Sequence, residues 1–213
     1  MSIAAVKLPR VAGLRERKKA ATRAAIHDGA MRLFAAHGFA GTTIDQIAEA
    51  ADVARATVFS YFPTKEDIVF GDAPQAVGAL EAALEPAGPE DTIATVRAWL
   101  GQLTGWIEPE LMLQRRIERE VPDVAARRLQ LFGAIEQVVA RALQRELAPE
   151  EHLAARLAAA SLIAALRVAE DDAVARMERD DRPLSPAEID RLLDAAVAFA
   201  GAGMAALRSR QAH

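Results

Sequence analysis

The residues whose types and spacing suggest chemistry lie in one stretch, RATVFSYFPTKED, from Arg55 to Asp67. Phe59, Tyr61 and Phe62 fall within four positions of a chain that holds ten aromatics, and Tyr61 is its one tyrosine. The run is too short to build a core by itself, and Pro63 ends it. Arg55, Ala56 and Thr57 stand beside Phe59, an odd choice for a face that meets only water. The set suits a surface that meets a partner.

Cations precede this stretch. Between residues 7 and 23 there are seven bases (Lys7, Arg10, Arg15, Arg17, Lys18, Lys19 and Arg23) and one acid, Glu16. Residues 1–70 hold ten Lys/Arg against seven Asp/Glu, whereas residues 71–213 hold sixteen against twenty-three, within an overall charge of −4. A basic run is ordinarily a solvated terminus, but a basic end on an acidic body also fits a polyanion-binding module joined to something else. Charge does not choose between the two.

Patterns for catalysis are missing. His27, His37, His152 and His213 form no H-E-x-x-H pair and no ligand cluster in sequence, and neither G-x-S-x-G nor a Gly-rich phosphate loop occurs. The acids at 170–172 suit a solvated helix surface. The stretch GAGMAA at 201–206 matches G-x-G-x-x-A, but it lies inside a helical pattern with no strand before it, which removes a dinucleotide reading. No catalytic residue, metal ligand or cofactor is therefore expected. The chain has no cysteine, which excludes disulfides and thiolate metal sites and fits a reducing cytoplasm. The apolar stretch before Lys7 is too short for a secretory signal, and no run approaches the roughly 18 apolar residues of a membrane span.

These residues need elements to hold them, and the composition points to helices. The chain is 52% hydrophobic, with alanine supplying much of it, and alanine is the best helix former. From about Arg15 to His37, Ile26, Ala30, Leu33 and Phe34 recur at helical spacing, and Gly38 marks the stop. Thr43 with Gln46 forms a capping-box pattern that opens a helix carrying Ile44, Ile47, Ala48 and Ala51 on one face. After a tight turn, a third helix runs from Ala54 to Phe62, with Val58 and Phe62 one turn apart facing a core. Thr64 caps a fourth helix, with Asp67 three positions on, that reaches to about Leu84 with a kink or break at Pro74. Two short helices across a tight turn make a helix-turn-helix pattern. Helices this short are marginal in water and need support from behind.

At GFAGTTIDQIAEAADVARATVFSYFPTKEDIV the chain resembles the TetR/AcrR family of transcriptional regulators, over about Arg17 to Phe70. Many members have glycine where this chain has Asp52 and serine where it has Ala54. Aspartate tolerates the left-handed conformation the turn needs, while the lost serine cap weakens the third helix by about 1 kcal/mol. The resemblance implies a homodimer that binds double-stranded DNA and carries a helical effector-binding domain. It also places the DNA contacts. Thr43 begins the second helix, where phosphate is attracted; Arg55, Ala56 and Thr57 lead the recognition helix into the major groove, with Arg55 suited to guanine. Phe59 meets a thymine methyl or sugar, Ser60 and Tyr61 offer hydroxyls to phosphate, and Lys65 brings a cation to phosphate. Arg23 and the preceding arm add non-specific attraction.

Beyond residue 70 helix follows helix. Trp99, Leu103, Trp106, Met112 and Phe132 are candidates for an apolar cavity, with Arg115, Arg116 or Arg119 meeting an anionic group. The stretch from ELMLQRRIERE to RRLQLF is similar to members that respond to acyl-CoA or other hydrophobic acids. Ser185, Pro186 and Glu188 open a last helix. Small residues on the last two long helices suit a four-helix interface between two subunits, which would space the recognition helices about 34–36 Å apart or a multiple of it. The expectation is an all-α chain of about nine helices. It comprises a basic arm at 1–14, a three-helix helix-turn-helix domain at 15–70, and a ligand-binding and dimerisation domain at 71–213. The function that follows is a cytoplasmic repressor, released from a palindromic operator by a small hydrophobic effector. An architectural DNA-binding protein without effector and an all-α enzyme are the alternatives.

Overall fold

A computed structural model describes residues 13–85, 92–102 and 109–211. Among these, ten α-helices and no strand are present. In order they are α1 (Leu14–Gly41), α2 (Ile44–Ala50), α3 (Arg55–Tyr61), α4 (Lys65–Val69), α5 (Ala73–Leu84), α6 (Thr92–Gln102), α7 (Pro109–Glu120), α8 (Pro122–Glu146), α9 (His152–Asp180) and α10 (Pro186–Gln211). A single 3-10 turn at Pro149–Glu151 precedes α9. The tenth helix arises because the expected fourth helix is two. The break falls at Phe70–Asp72, where Gly71 takes φ 50°, and Pro74 stands in the first turn of α5. There its missing N–H has no helical partner to lose, so it neither kinks nor breaks the helix.

The chain forms two compact units, Met1–Pro74 with Glu108–Gln130, and Gln75–Ile107 with Leu131–His213. In the first, α1 leaves helical geometry at Gly38, φ 75° and ψ 163°, a conformation open to glycine and costly for other residues. Around it Ile26, Ala30, Phe34, Phe39, Ile47, Val58, Phe62 and Ile68 are buried, with the Phe34 and Phe39 rings 5.1 Å apart. Apart from Ala30, each such side chain contributes about 1.5–3 kcal/mol of burial, which is what stabilises helices too short to persist alone. Leu111, Ile117 and Val124, from α7 and the start of α8, are buried as well.

In the second unit α9 packs along α10, and Ala154, Ala155, Ala158, Ala159 and Leu162 of α9 are buried. Small side chains let the two axes approach closely. Ser185 and Glu188 form the expected box, the Ser185 N–H and hydroxyl donating to the Glu188 carboxylate at 2.8 and 2.7 Å. Arg182 also grips that carboxylate, and with the Ser185 bonds it holds Glu188 well below the usual carboxylate range. Arg97 of α6 bonds Asp190 and Asp194, one turn apart on α10. The Glu146 carboxylate, at the end of α8, accepts from the N–H and hydroxyl of Thr92, the first residue of α6. By length and composition α9 is the one described helix that could cross a membrane. Arg156 and Arg167 interrupt its apolar run, and Ala154, Ala155, Leu162, Ile163, Ala173 and Met177 along its length are buried inside the protein.

Candidate nucleic-acid interface

The surface built on α3 begins with the turn before it. Asp52 adopts φ 52°, the left-handed conformation that an aspartate can take in place of glycine. Ala54 is the N-cap and supplies no side-chain bond; only its carbonyl closes the first turn, accepting from Thr57 and Val58. The helix is fixed from behind instead. Val58 and Phe62 are fully buried, and Arg23 of α1 reaches its far end. That guanidinium lies 4.0 Å over the Phe62 ring and donates to the carbonyls of Tyr61 and Gly71 and to the Asp72 carboxylate. Burial holds its pKa below the ordinary arginine value, with Asp72 pulling the other way. Arg23 was expected to add attraction for phosphate; it is instead an internal strut, because three acceptors and an aromatic face surround it.

With the back anchored, the front of α3 is open. Arg55, Ala56 and Ser60 are exposed, Phe59 is 41% exposed, and Thr57 and Tyr61 are half-buried. Ser60 donates its hydroxyl to the Thr57 carbonyl at 2.7 Å. Arg55 Nη1 donates to both carboxylate oxygens of Asp45, in the first turn of α2, at 2.9 and 3.2 Å. Its guanidinium lies 5.7 Å from the Phe59 ring centroid, one turn along the same face.

Thr43 is the N-cap of α2, with the reciprocal box to Gln46 in place. Lys65 opens α4, but its ammonium donates to the carbonyls of Phe39 and Thr42 at 2.8 and 3.0 Å and lies 4.2 Å from the Phe39 ring centroid. Desolvation lowers its pKa. Lys65 thereby braces the end of α1 against the start of α4.

Sequence patterns gave the Thr64 cap of α4 but no sign of what else holds it. The Asp67 carboxylate closes the Thr64 box through one oxygen and accepts from Arg127 of α8 at 2.6 Å through the other. Gln114 of α7 donates to the carbonyl of Val69, the last residue of α4, at 2.8 Å. Both ends of a five-residue helix are thus gripped from Glu108–Gln130. Nearby, Glu118 bonds Arg115 at 2.9 Å and Arg128 at 3.3 Å, all three largely buried. The pattern RRIERE in α7 was the available signal, but charge at those positions also fits a solvated face.

One His/acid group does form. His27, Asp28 and Glu110 bring ligand atoms within 4.8 Å of one another. His27 is buried and its Nε2 has no partner among the described residues. That atom lies on the Gly71 side of the ring, whereas Nδ1 is the atom 3.7 Å from the Asp28 carboxylate.

The cavity candidates divide between the units. Met112, half-buried, and Arg116, exposed, belong to the first; Trp99 and Phe132 belong to the second. Trp99 is buried and its indole N–H donates to the Ala76 carbonyl at 3.2 Å, a core contact of α5 with α6. Leu103 and Trp106 lie outside the described residues.

Residues 26–70 match the family model described as bacterial regulatory proteins, tetR family. The chain is 30% identical to the mycofactocin biosynthesis transcriptional regulator MftR of Mycobacterium tuberculosis, over 61% of this chain and 67% of that protein. It is 35% identical to the HTH-type transcriptional regulator TcmR of Streptomyces glaucescens, over 62% of this chain and 63% of that one. The matched stretch thus spans about two thirds of each. A crystal structure of a TetR-family regulator from Mesorhizobium loti shares the fold, with a TM-score of 0.55 at 23% identity over 89% of this chain and 98% of that chain.

Proposed function

This chain belongs to the TetR family of bacterial regulatory proteins and is a helix-turn-helix transcriptional regulator; from that premise we propose a homodimeric repressor that reads a palindromic operator through α3 and releases it on binding a small hydrophobic effector. One observation carries the reading: α3 is locked from behind by Val58, Phe62 and Arg23, while Arg55, Ala56 and Phe59 stand in solvent on its other side. A rigid rod with small residues flanking a single guanidinium fits the major groove, where guanine O6 and N7 accept from arginine and a thymine methyl meets alanine or an aromatic. Thr57 shares that leading end. Thr43, Ser60, Tyr61 and Lys65 are assigned to sugar and phosphate, which fix register without reading sequence.

The dimer is assigned to α9 and α10. Leu153 and Val168 are exposed to 65% and 68% on α9, and Phe199 to 70% on α10. Apolar surface of this kind marks an interface in a protein that works in water. The effector is assigned to the second unit, which holds Trp99 and Phe132, and its class to hydrophobic or acyl-bearing acids. The protein acts in the cytoplasm, and its role is regulatory rather than enzymatic.

Selection of duplexes from a random pool, followed by titration of the selected site, tests the reading. A two-fold symmetric consensus is expected, and Arg55→Ala should cost about 1–3 kcal/mol there with little loss on random duplex. Acyl-CoA titrated into the complex should lower operator affinity by a coupling of about 1–3 kcal/mol. Equal losses by Arg55→Ala on operator and random DNA would contradict the reading role of α3. No release across acyl-CoA chain lengths would remove the effector class.

A further inference from the structure

Asp45 is an acid where an acid is costly. It stands in the first turn of α2, beside the leading end of α3, on the face assigned above to the duplex. Any carboxylate there repels phosphate. Its pairing with Arg55 gives little back in folding stability, since the two side chains are 67% and 59% exposed and exposed pairs contribute little. Neither stability nor affinity accounts for it.

The geometry of the pair offers a different role. Both Asp45 oxygens accept from a single atom, Arg55 Nη1. Apart from the Phe59 ring, no other partner of Arg55 is found among the described residues. The Nε and Nη2 edge of the fork is therefore left for another acceptor pair, and guanine offers such a pair in O6 and N7. The Phe59 ring, one turn on, limits how far the guanidinium swings. Without the carboxylate, a long flexible side chain reaches phosphate as readily as a base, and phosphate contacts carry no sequence information.

We propose that Asp45 is a specificity-setting positioning residue: by holding Nη1 of Arg55 it presents the Nε and Nη2 edge to a guanine and keeps the guanidinium off the phosphates. The inference rests on the duplex-reading role of α3. Asp45 lowers affinity for DNA in general and widens the gap between the right site and the wrong one.

The test uses the full chain and five proteins: wild type, Asp45→Asn, Asp45→Glu, Arg55→Ala and the double variant Asp45→Asn with Arg55→Ala. Each is titrated on the selected operator and on a random duplex of equal length at one salt concentration. Arg55→Ala should narrow the operator-to-random affinity ratio about tenfold. Asp45→Asn should tighten the random duplex about threefold, through the lost repulsion, and narrow the ratio about tenfold. Added to Arg55→Ala, it should leave the ratio unchanged, because there is no guanidinium left to position. Asp45→Glu, which keeps the carboxylate, should restore most of the ratio, a rescue that a role in folding alone would not produce. An unchanged ratio in Asp45→Asn, with Arg55→Ala still narrowing it, overturns the proposal and leaves the reading role of α3 intact. The same narrowing in both backgrounds also overturns it, since Asp45 would then act without Arg55. No narrowing by Arg55→Ala removes the reading role and this proposal together.

Discussion

Lys65 and Arg23 are cations of the first compact unit, and the atoms around them decide what each one does. Arg23 is enclosed by two carbonyls, a carboxylate and an aromatic ring. Lys65 is less enclosed, with two carbonyl partners and a half-buried stem. Lys65→Met keeps the stem and removes the charge, so Phe39 and Thr42 lose a charged donor. Such bonds are worth about 1.5–3 kcal/mol each when shielded. Water replaces part of that here, and a total loss of about 1–2 kcal/mol is expected, seen as a lower urea midpoint at unchanged slope. On DNA the loss should be uniform across operator and random duplex. A salt slope reduced by about one marks a direct phosphate contact; an unchanged slope assigns Lys65 to bracing alone. The sequence made Lys65 visible as a cation after a helix cap, and Phe59 as an aromatic that leaves the core. It could not show that the carbonyls claiming Lys65 come from 23 and 26 residues earlier.

Among the elements, the turn between α4 and α5 is the one most dependent on a single residue. Gly71 has φ 50°, and a Cβ there would come within 2.9 Å of His27 Cδ2. Gly71→Ala therefore combines an unfavourable backbone conformation with a contact against a buried ring, and a loss of about 1–3 kcal/mol is expected. Gly78 is the contrast. It lies inside α5, and a Cβ there would meet nothing within 4 Å, so Gly78→Ala should gain about 0.5–1 kcal/mol from helix propensity. Paired thermal melts of the two variants check both signs, and similar melts for both would refute the argument. Local code was enough for the caps: Thr43, Thr64 and Ser185 each signal their helix by a partner three residues on. It was not enough for the break at Phe70–Asp72, because Pro74 is the conspicuous residue there and Gly71 the decisive one. Nor could it place Gln114 and Arg127 on the two ends of α4, since those bonds join positions 45 and 60 residues apart.

For the molecule as a whole, the proposed operator reading depends on two copies acting together, and the apolar residues left in solvent on α9 and α10 are the argument for where they meet. Leu153, Leu157, Ala164 and Val168 recur at spacings that bring them to one side of α9, all exposed. On α10, Phe199 stands with Ala195 and Ala202 on an exposed side. The small-residue pattern of these helices was plain in the sequence, but it also serves the packing of α9 on α10 within one chain; only exposure separates the residues left over. Leu157 is 49% exposed, so Leu157→Glu should leave the monomer folded, with unchanged helical circular dichroism. In a two-fold interface every substitution acts twice. Two lost leucine contacts at about 1.5–3 kcal/mol each, with two carboxylates desolvated, should raise the dimer dissociation constant at least about a hundredfold. Phe199→Glu should act in the same direction. Sedimentation equilibrium reads the assembly, and titration reads its consequence: operator affinity falls steeply because the second half-site no longer binds as part of the same body, while random-duplex affinity falls less. If both variants sediment as dimers and keep wild-type operator affinity, the subunits meet elsewhere and the exposed stripes need another explanation.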